Sequence, residues 1–290
     1  MYWYRAFLAL GRFSLLGTTV KQKTMMPKHL LADEKHSRWK GQKVYLPTVA
    51  ANGCLFGIDI VEKADSDSLI KGYSTFADEA KNLDPKYSPD SVNLDGWSAT
   101  RNAWKTLFPQ ISIILCFLHL VLGIKDYLRR DQSLLKTIQE KLWSIYHGEG
   151  KRQFSQRLRR FWEWSTAQIL PEKVHDKINQ AKANSHQFQL GYNSPDCYRT
   201  SNQIDRLMNY QDRILYQMQY FHGSMDSARL FLRAIALIWN FHPLCRRISS
   251  QSTSEQRDFP FEKLNHFCYS HNWLENFLIA GSLNGYRAVT

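Results

Sequence analysis

Three aspartates stand where this sequence could do chemistry, and two of them end apolar runs. Ser91–Leu94 is a short β-prone run that delivers Asp95, and Gly96 behind it lets the chain turn. Leu30-Leu31-Ala32 runs in the same way into the polar cluster Asp33-Glu34-Lys35-His36. The third, Asp205, lies on a predicted helix opened by Thr200-Ser201. Two carboxylates held side by side repel each other when both are ionised, so such a pair persists mainly where a cation neutralises it. Oxygen-only ligands suit Mg²⁺ or Mn²⁺. Two such ions activate an attacking oxygen and stabilise a leaving oxygen in phosphodiester chemistry, and Asp205 would complete the second ion's site. The plainer alternative is that Asp95 only caps the turn before Gly96.

The elements that must position these residues follow from the pattern around them. Residues 28–64 predict three antiparallel strands, Lys28–Asp33, Lys43–Ala50 and Cys54–Val61, the last two joined by the hairpin signal Asn52-Gly53. Pro47 inside the second strand favours an exposed edge or a bulge. An amphipathic helix over 66–82 follows, capped by Ser66 or Asp67. After the Asp95 strand comes a helix with Ala103, Trp104, Leu107 and Phe108 at helical spacing, stopped by Pro109; Ser98-Ala99-Thr100 supplies its cap. Ile111–Cys116 is then a wholly apolar run suited to a buried strand. The order β-β-β-α-β-α-β is that of a ribonuclease H-like domain, in which the first and fourth strands are neighbours and would set Asp33 beside Asp95.

Beyond His119 the character changes. Residues 120–190 show helical periodicity dense in Lys, Arg and Trp, which predicts an all-α stretch of two to four helices. Helices over 199–222 and 228–241 follow, then a serine- and glutamine-rich loop at 249–258 and a final aromatic helical piece over about 261–279. The expected fold class is therefore α/β, a ribonuclease H-like mixed sheet with an all-α insertion between the second and third acids. The corresponding divisions are a lead-in at 1–27, the first part of the core at 28–119 and the insertion at 120–198. Core helices bearing the third acid would occupy 199–248, and a helical tail 249–290.

A formal charge of +12 and a pI near 9.5 make nucleic acid the leading partner class, ahead of an anionic membrane. Hydrophobic content of 43% excludes a disordered chain, and no apolar run is long enough for a transmembrane helix. Arg5 and Arg12 interrupt the N-terminal apolar segment too closely for a signal peptide. Five scattered cysteines without CxxC pairing suggest reduced thiols and a cytoplasmic location.

The sequence resembles the Mutator-type transposases, a branch of the DDE superfamily with a CxxH signature after the second acid. The resemblance is carried by Asp95-Gly96-Trp97, Phe108-Pro109, Cys116-Phe117-Leu118-His119, and Thr200-Ser201-Asn202 followed by Asp205-Arg206, and spans roughly residues 28–245. It implies a prokaryotic insertion-sequence transposase with Asp33, Asp95 and Asp205 as catalytic acids and metal ligands for two Mg²⁺ or Mn²⁺ ions. Its partners would be double-stranded DNA, both element ends and target, and further copies of itself when active. Water would cleave the strand and a freed 3′-hydroxyl would carry out transfer. The family usually has Glu where Asp205 stands. It also carries a helical DNA-binding domain ahead of the core, whereas 32 residues precede Asp33 here, which leads to the expectation of an N-terminally truncated or relic copy. The rival readings are a hydrolytic ribonuclease H-like nuclease and an inactive DNA-binding remnant.

Supporting roles follow from position. Cys116 is expected to end its strand in the core, with His119 aimed toward the metal-binding end; half a zinc site is the alternative. Asn202 and Asn209 lie on the helical face of Asp205 and would hold it, and Asp212 is the competing acid on that helix. Glu34 is expected to face solvent and to be the substitute if Asp33 is not a ligand. Lys151, Arg152, Arg157, Arg159 and Arg160 are candidate phosphate contacts, whereas Trp162 and Trp164 belong to a core.

Overall fold

The computed structural model describes residues 2–243 and 259–284. Helices α1 (Tyr2–Leu10) and α2 (Leu15–Thr19) precede strands β1 (His29–Trp39), β2 (Gln42–Ala51) and β3 (Cys54–Ile58). Then come α3 (Ser66–Leu83), β4 (Ser91–Leu94), α4 (Ser98–Leu107) and β5 (Ser112–Leu115). Helices alone follow: α5 (Phe117–Tyr127), α6 (Gln132–Tyr146), α7 (Lys151–Thr166), α8 (Glu172–Ala183) and α9 (Ser185–Gln189). The described chain ends with α10 (Asn202–Gln217), α11 (Met225–Phe241), α12 (Pro260–Asn265) and α13 (Trp273–Asn284).

The five strands form one mixed sheet in the order β3-β2-β1-β4-β5. The first three are antiparallel to one another, whereas β4 runs parallel to both β1 and β5. Leu30, Ala32, Val92 and Leu94 pack on one face against Leu69, Tyr73 and Phe76 of α3 and Ala103 and Trp104 of α4. Leu31, Ala50 and Leu55 pack on the other against Ile204 and Leu207 of α10 and Leu232, Ile235 and Ala236 of α11. A separate core built around Phe117, Leu142, Phe154, Leu158 and Ile178 holds α5 to α9 together.

The strand boundaries differ from the sequence expectation in instructive ways. β1 does not end at Asp33; it continues to Trp39 because β2 pairs with it down to Gln42, and the turn falls on Lys40 and Gly41, both with positive φ. β2 is an inner strand, so Pro47 is not on an edge. Its tolerance comes from β3, which ends at Ile58: Asp59 N–H donates to Pro47 O, and only the reciprocal bond is missing. The cap of α3 is Asp65, whose side chain accepts from Ser68 N–H, rather than Ser66 or Asp67. At α4 no side chain caps the helix, and Thr100 is turned inward to another partner. The C-terminal helical piece is two helices, separated after His266 in the left-handed conformation. The loop at 249–258 and Cys245 lie outside the described residues.

The lead-in is part of the core. Leu15 to Val20 are all buried, and one ion pair fixes them. Glu79 of α3 and Arg233 of α11 meet at 2.6 Å with side chains 2% and 5% exposed. Glu79 accepts from Ser14 Oγ and Leu16 N–H, while Arg233 donates to Gly11 O and Phe13 O. The pair therefore joins the helices on opposite faces of the sheet through the segment 11–16. Removing one partner strands a buried charge, which typically costs about 3–5 kcal/mol. Arg233→Leu is expected to cost that much in urea denaturation and to expose residues 11–20 to protease. Glu79→Leu/Arg233→Leu should cost clearly less than the two single changes added together, and simple additivity would show that the pair is not coupled.

Candidate functional site

The pairing of β1 with β4 decides where the acids go. His29, Leu30 and Leu31 pair with Ser91, Val92 and Asn93, a constant offset of 62 residues. That offset is also the separation of Asp33 and Asp95, so the two stand level, one within β1 and the other just past the end of β4. Strand alternation then selects the face. Leu30, Ala32, Val92 and Leu94 face α3 and α4, so Leu31, Asp33 and Asn93 face the other way, toward α10, while Asp95, just past the strand, is exposed beside Cys116 and His119. Gly96 turns the chain directly behind Asp95 with φ +96°, and a Cβ there would stand 2.8 Å from Leu115 Cδ2.

Asp205 reaches the same place from α10. A seam of three contacts lays the start of that helix against the sheet: Asn93 Nδ2 donates to Tyr198 O, Phe117 N–H to Arg199 O, and Ser201 N–H to Cys116 Sγ. Asp205 sits one turn into the helix. Burial raises the pKa of Asp33, the charges of Asp95 and Asp205 add to that rise, and His119 and the Glu34 N–H oppose it. Asp33 thus lies within charge reach of Asp95, Asp205 and His119.

Each carboxylate has one oxygen occupied locally. Asp33 Oδ1 accepts from Glu34 N–H at 2.8 Å, Asp95 Oδ1 from Trp97 N–H at 2.8 Å, and Asp205 Oδ2 from Ser201 Oγ at 3.1 Å. The other oxygen of each accepts no hydrogen bond from any described residue. Three hard oxygen donors of like charge on one face fit a Mg²⁺ or Mn²⁺ ligand set. Among the described residues, however, no three His, Cys, Asp or Glu side chains form a ready-made metal cage. The carboxylates sense one another's charge without having drawn together.

The supporting residues sort differently from expectation. Asn202 is exposed and does not hold Asp205; Ser201 does, and its own hydroxyl is buried within 3.4 Å of Cys116 Sγ. Asn209 instead approaches Lys35 at 3.5 Å, and Lys35 forms an ion pair with Asp212. Asp212 is thereby neutralised within this helix–strand contact. Cys116 caps the start of α5 and is buried, and His119 lies on the first turn of that helix. The sulfur beside it, with the Asp33 and Asp95 charges, pushes His119 up to about 9 against the effect of burial, while its buried Nδ1 has no hydrogen-bond partner among the described residues.

Glu34 does not face solvent. Its position, one residue on from Asp33, turns it to the opposite face of β1, where its Oε1 accepts from Tyr73 Oη at 2.6 Å and from Thr100 Oγ1 at 2.7 Å. The site's floor is therefore a second, half-buried carboxyl, and neither Tyr73 nor Thr100, the latter expected only as part of a helix cap, was read from the sequence as a site residue. Their signal is only that both are polar groups on the buried faces of α3 and α4.

A cavity of about 460 Å³ opens beside Asp95, Cys116 and His119, walled by Trp97, Arg101 of α4 and Lys177, Gln180 and Asn184 of the α8 region. On α7, Lys151, Arg152 and Arg160 are exposed. Arg157 instead donates to Ser144 O at the end of α6, and Arg159 pairs with Glu163 at 2.8 Å. Trp162 is half-buried, with its indole N–H donated to Asn179 Oδ1, and Trp164 stacks on Phe161.

Burial pushes the Glu34 carboxyl up to about 7, opposed by the Tyr73 and Thr100 hydrogen bonds and aided slightly by Asp95 and Asp33. A carboxyl whose folded pKa lies above its unfolded value favours the fold while protonated. Its contribution is full below about 4.5 and is lost as pH rises through about 7. Glu34→Gln keeps both accepted hydrogen bonds and cannot ionise. In chelator-treated protein it should match the wild type near pH 4.5 and exceed it by about 3 kcal/mol at pH 8 in urea denaturation. Equal stabilities at both pH values would mean that Glu34 is ionised without cost.

No protein-family profile matches the chain, and no curated protein is similar to it. Among solved structures it is similar to the HTLV-2 integrase catalytic core domain, determined in complex with magnesium in a trimeric form. That likeness has 20% identity and a TM-score of 0.25, and covers 41% of this chain and 85% of the integrase chain.

Proposed function

We propose that the chain is a metal-dependent DNA transposase of the DDE type, cutting and joining the strands of an insertion sequence. The observation that carries this reading is that Asp33 lies within charge reach of both Asp95 and Asp205, each acid having one oxygen that no described residue occupies. Free carboxylate oxygens from two adjacent strands and a helix start are the donor set this chemistry needs. The helices α5 to α9 are, in this reading, an insertion between the second and third acids, and the basic surface of α7 supplies phosphate contacts.

Asp33, Asp95 and Asp205 would hold Mg²⁺ or Mn²⁺, which when bound activates the attacking oxygen and steadies the leaving one. The protein's own residues do the positioning. The β1–β4 register keeps two acids level, and the seam at residues 198–201 sets the third. His119, charged at neutral pH, offsets part of the carboxylate repulsion. Arg101 and Lys177 stand in the adjoining cavity, where the phosphates flanking the cut would pass.

The experiment is cleavage of a labelled duplex carrying the element's ends, followed by strand transfer from pre-cut ends. Asp205→Asn should lower cleavage at least 100-fold with little change in melting temperature or DNA affinity. Asp205→Glu should keep activity, and Asp212→Asn should stay within about twofold because its partner is Lys35. Full cleavage by Asp205→Asn alongside loss in Asp212→Asn would reverse the assignment. Cleavage without any strand transfer would make the protein a nuclease.

A further inference from the structure

The cavity beside Asp95 is more than an approach to the acids. Its walls come from the turn after β4, the end of β5, the first turns of α4 and α5, one face of α8, and Phe188 of α9. Lys177, Gln180 and Asn184 recur at helical spacing along that face, while Val174 and Ile178 on the other side are buried in the helical core. At about 460 Å³ the space lies within the roughly 300–1,000 Å³ typical of sites for small molecules.

The chemistry of the lining is specific. Trp97 is 39% exposed although it is the largest apolar side chain near the acids, and it packs against no other aromatic ring among the described residues. Its backbone N–H is committed to Asp95 Oδ1, so the indole's place is tied to the acid itself. Arg101 and Lys177 make no ion pair with any described residue. The amides of Gln180 and Asn184 likewise have no described side-chain partner. The cavity thus offers one aromatic face, two unmatched cations and two groups that each both donate and accept hydrogen bonds.

We infer that this cavity binds one unpaired nucleotide of the DNA strand being cut, its base stacked on Trp97 and its phosphate held by Arg101 and Lys177. The inference rests on the transposase reading for the identity of the strand. A base has a π-face to stack, a phosphate to pair with cations and polar edges for the amides, and no single one of these would call for the whole set. A base paired within a duplex cannot present its face to Trp97, so the nucleotide must be unpaired or displaced from the stack.

The test uses a duplex with a single overhanging 2-aminopurine, whose fluorescence falls when it stacks, titrated with the full chain in calcium so that binding is read without cleavage. The wild type should quench the probe and bind the overhang roughly tenfold or more tighter than the fully paired duplex. Trp97→Ala should abolish the quenching and Trp97→Phe should restore part of it. Arg101→Ala and Lys177→Ala should each weaken binding and lower the salt slope by about one. Equal affinity for paired and overhanging duplexes, or unchanged quenching by Trp97→Ala, would overturn the proposal. Binding of free dAMP as tight as that of the overhang would overturn its assignment to a strand. Should quenching hold while no variant or wild type cleaves DNA, the transposase reading fails and the nucleotide site stands.

Discussion

Two like charges held level on adjacent parallel strands are the constraint around which this molecule is arranged. The β1–β4 register sets Asp33 and Asp95 level with each other, and Asp33, largely withdrawn from water, feels the charge of the exposed Asp95. The surrounding residues each reduce the cost of that repulsion. Backbone N–H groups of Glu34 and Trp97 each satisfy one oxygen, His119 contributes a positive charge, and Glu34 is turned away to the other face with two donors of its own. A sheet packed for stability alone would have put an apolar residue at Asp33. That cost is one ground for the proposal that the acids are functional.

Much of this was legible because it depends on period and order. Apolar runs ending in a carboxylate, the Asn52-Gly53 hairpin and the alternation of helices and strands after Ser66 fix the strand order through short-range rules. The helical character of residues 120–190 was visible in the same way. What was not legible depends on partners distant in sequence. Glu34 looks like any polar residue beside an acid, and only Tyr73 and Thr100, far along the chain, draw it inward to a half-buried place. Ser201 reads as an ordinary helix cap, yet its hydroxyl is drawn to Asp205, while Asn202, better placed on a helical wheel, points outward.

The same reasoning explains the N-terminal segment. Residues 11–20 carry no amphipathic period long enough to announce a core element, and their burial follows from a salt bridge between Glu79 and Arg233, 154 residues apart. Local pattern reports what a segment prefers, and ion pairs across the fold report what it is used for. β1 illustrates the converse: its extension to Trp39 required only a Lys40-Gly41 turn, a weaker signal than Asn-Gly but built on the same positive φ.

The helical unit leaves the sheet at Cys116 and returns at Arg199, and Phe117 N–H bonded to Arg199 O clasps the two ends together. Beyond that clasp, α9 and the turn after it pack on β5, so the unit bears on the sheet along this one edge and can act as a lever about it. A few degrees of rotation about that edge would swing α8, and with it Lys177, Gln180 and Asn184, through a larger arc than anything near the pivot. Asp95 and Asp205 sit close to the pivot, on the sheet and on α10, and would scarcely move. The mechanical consequence is a division of labour: the jaw beside the acids can widen or narrow while the spacing of the acids stays constant.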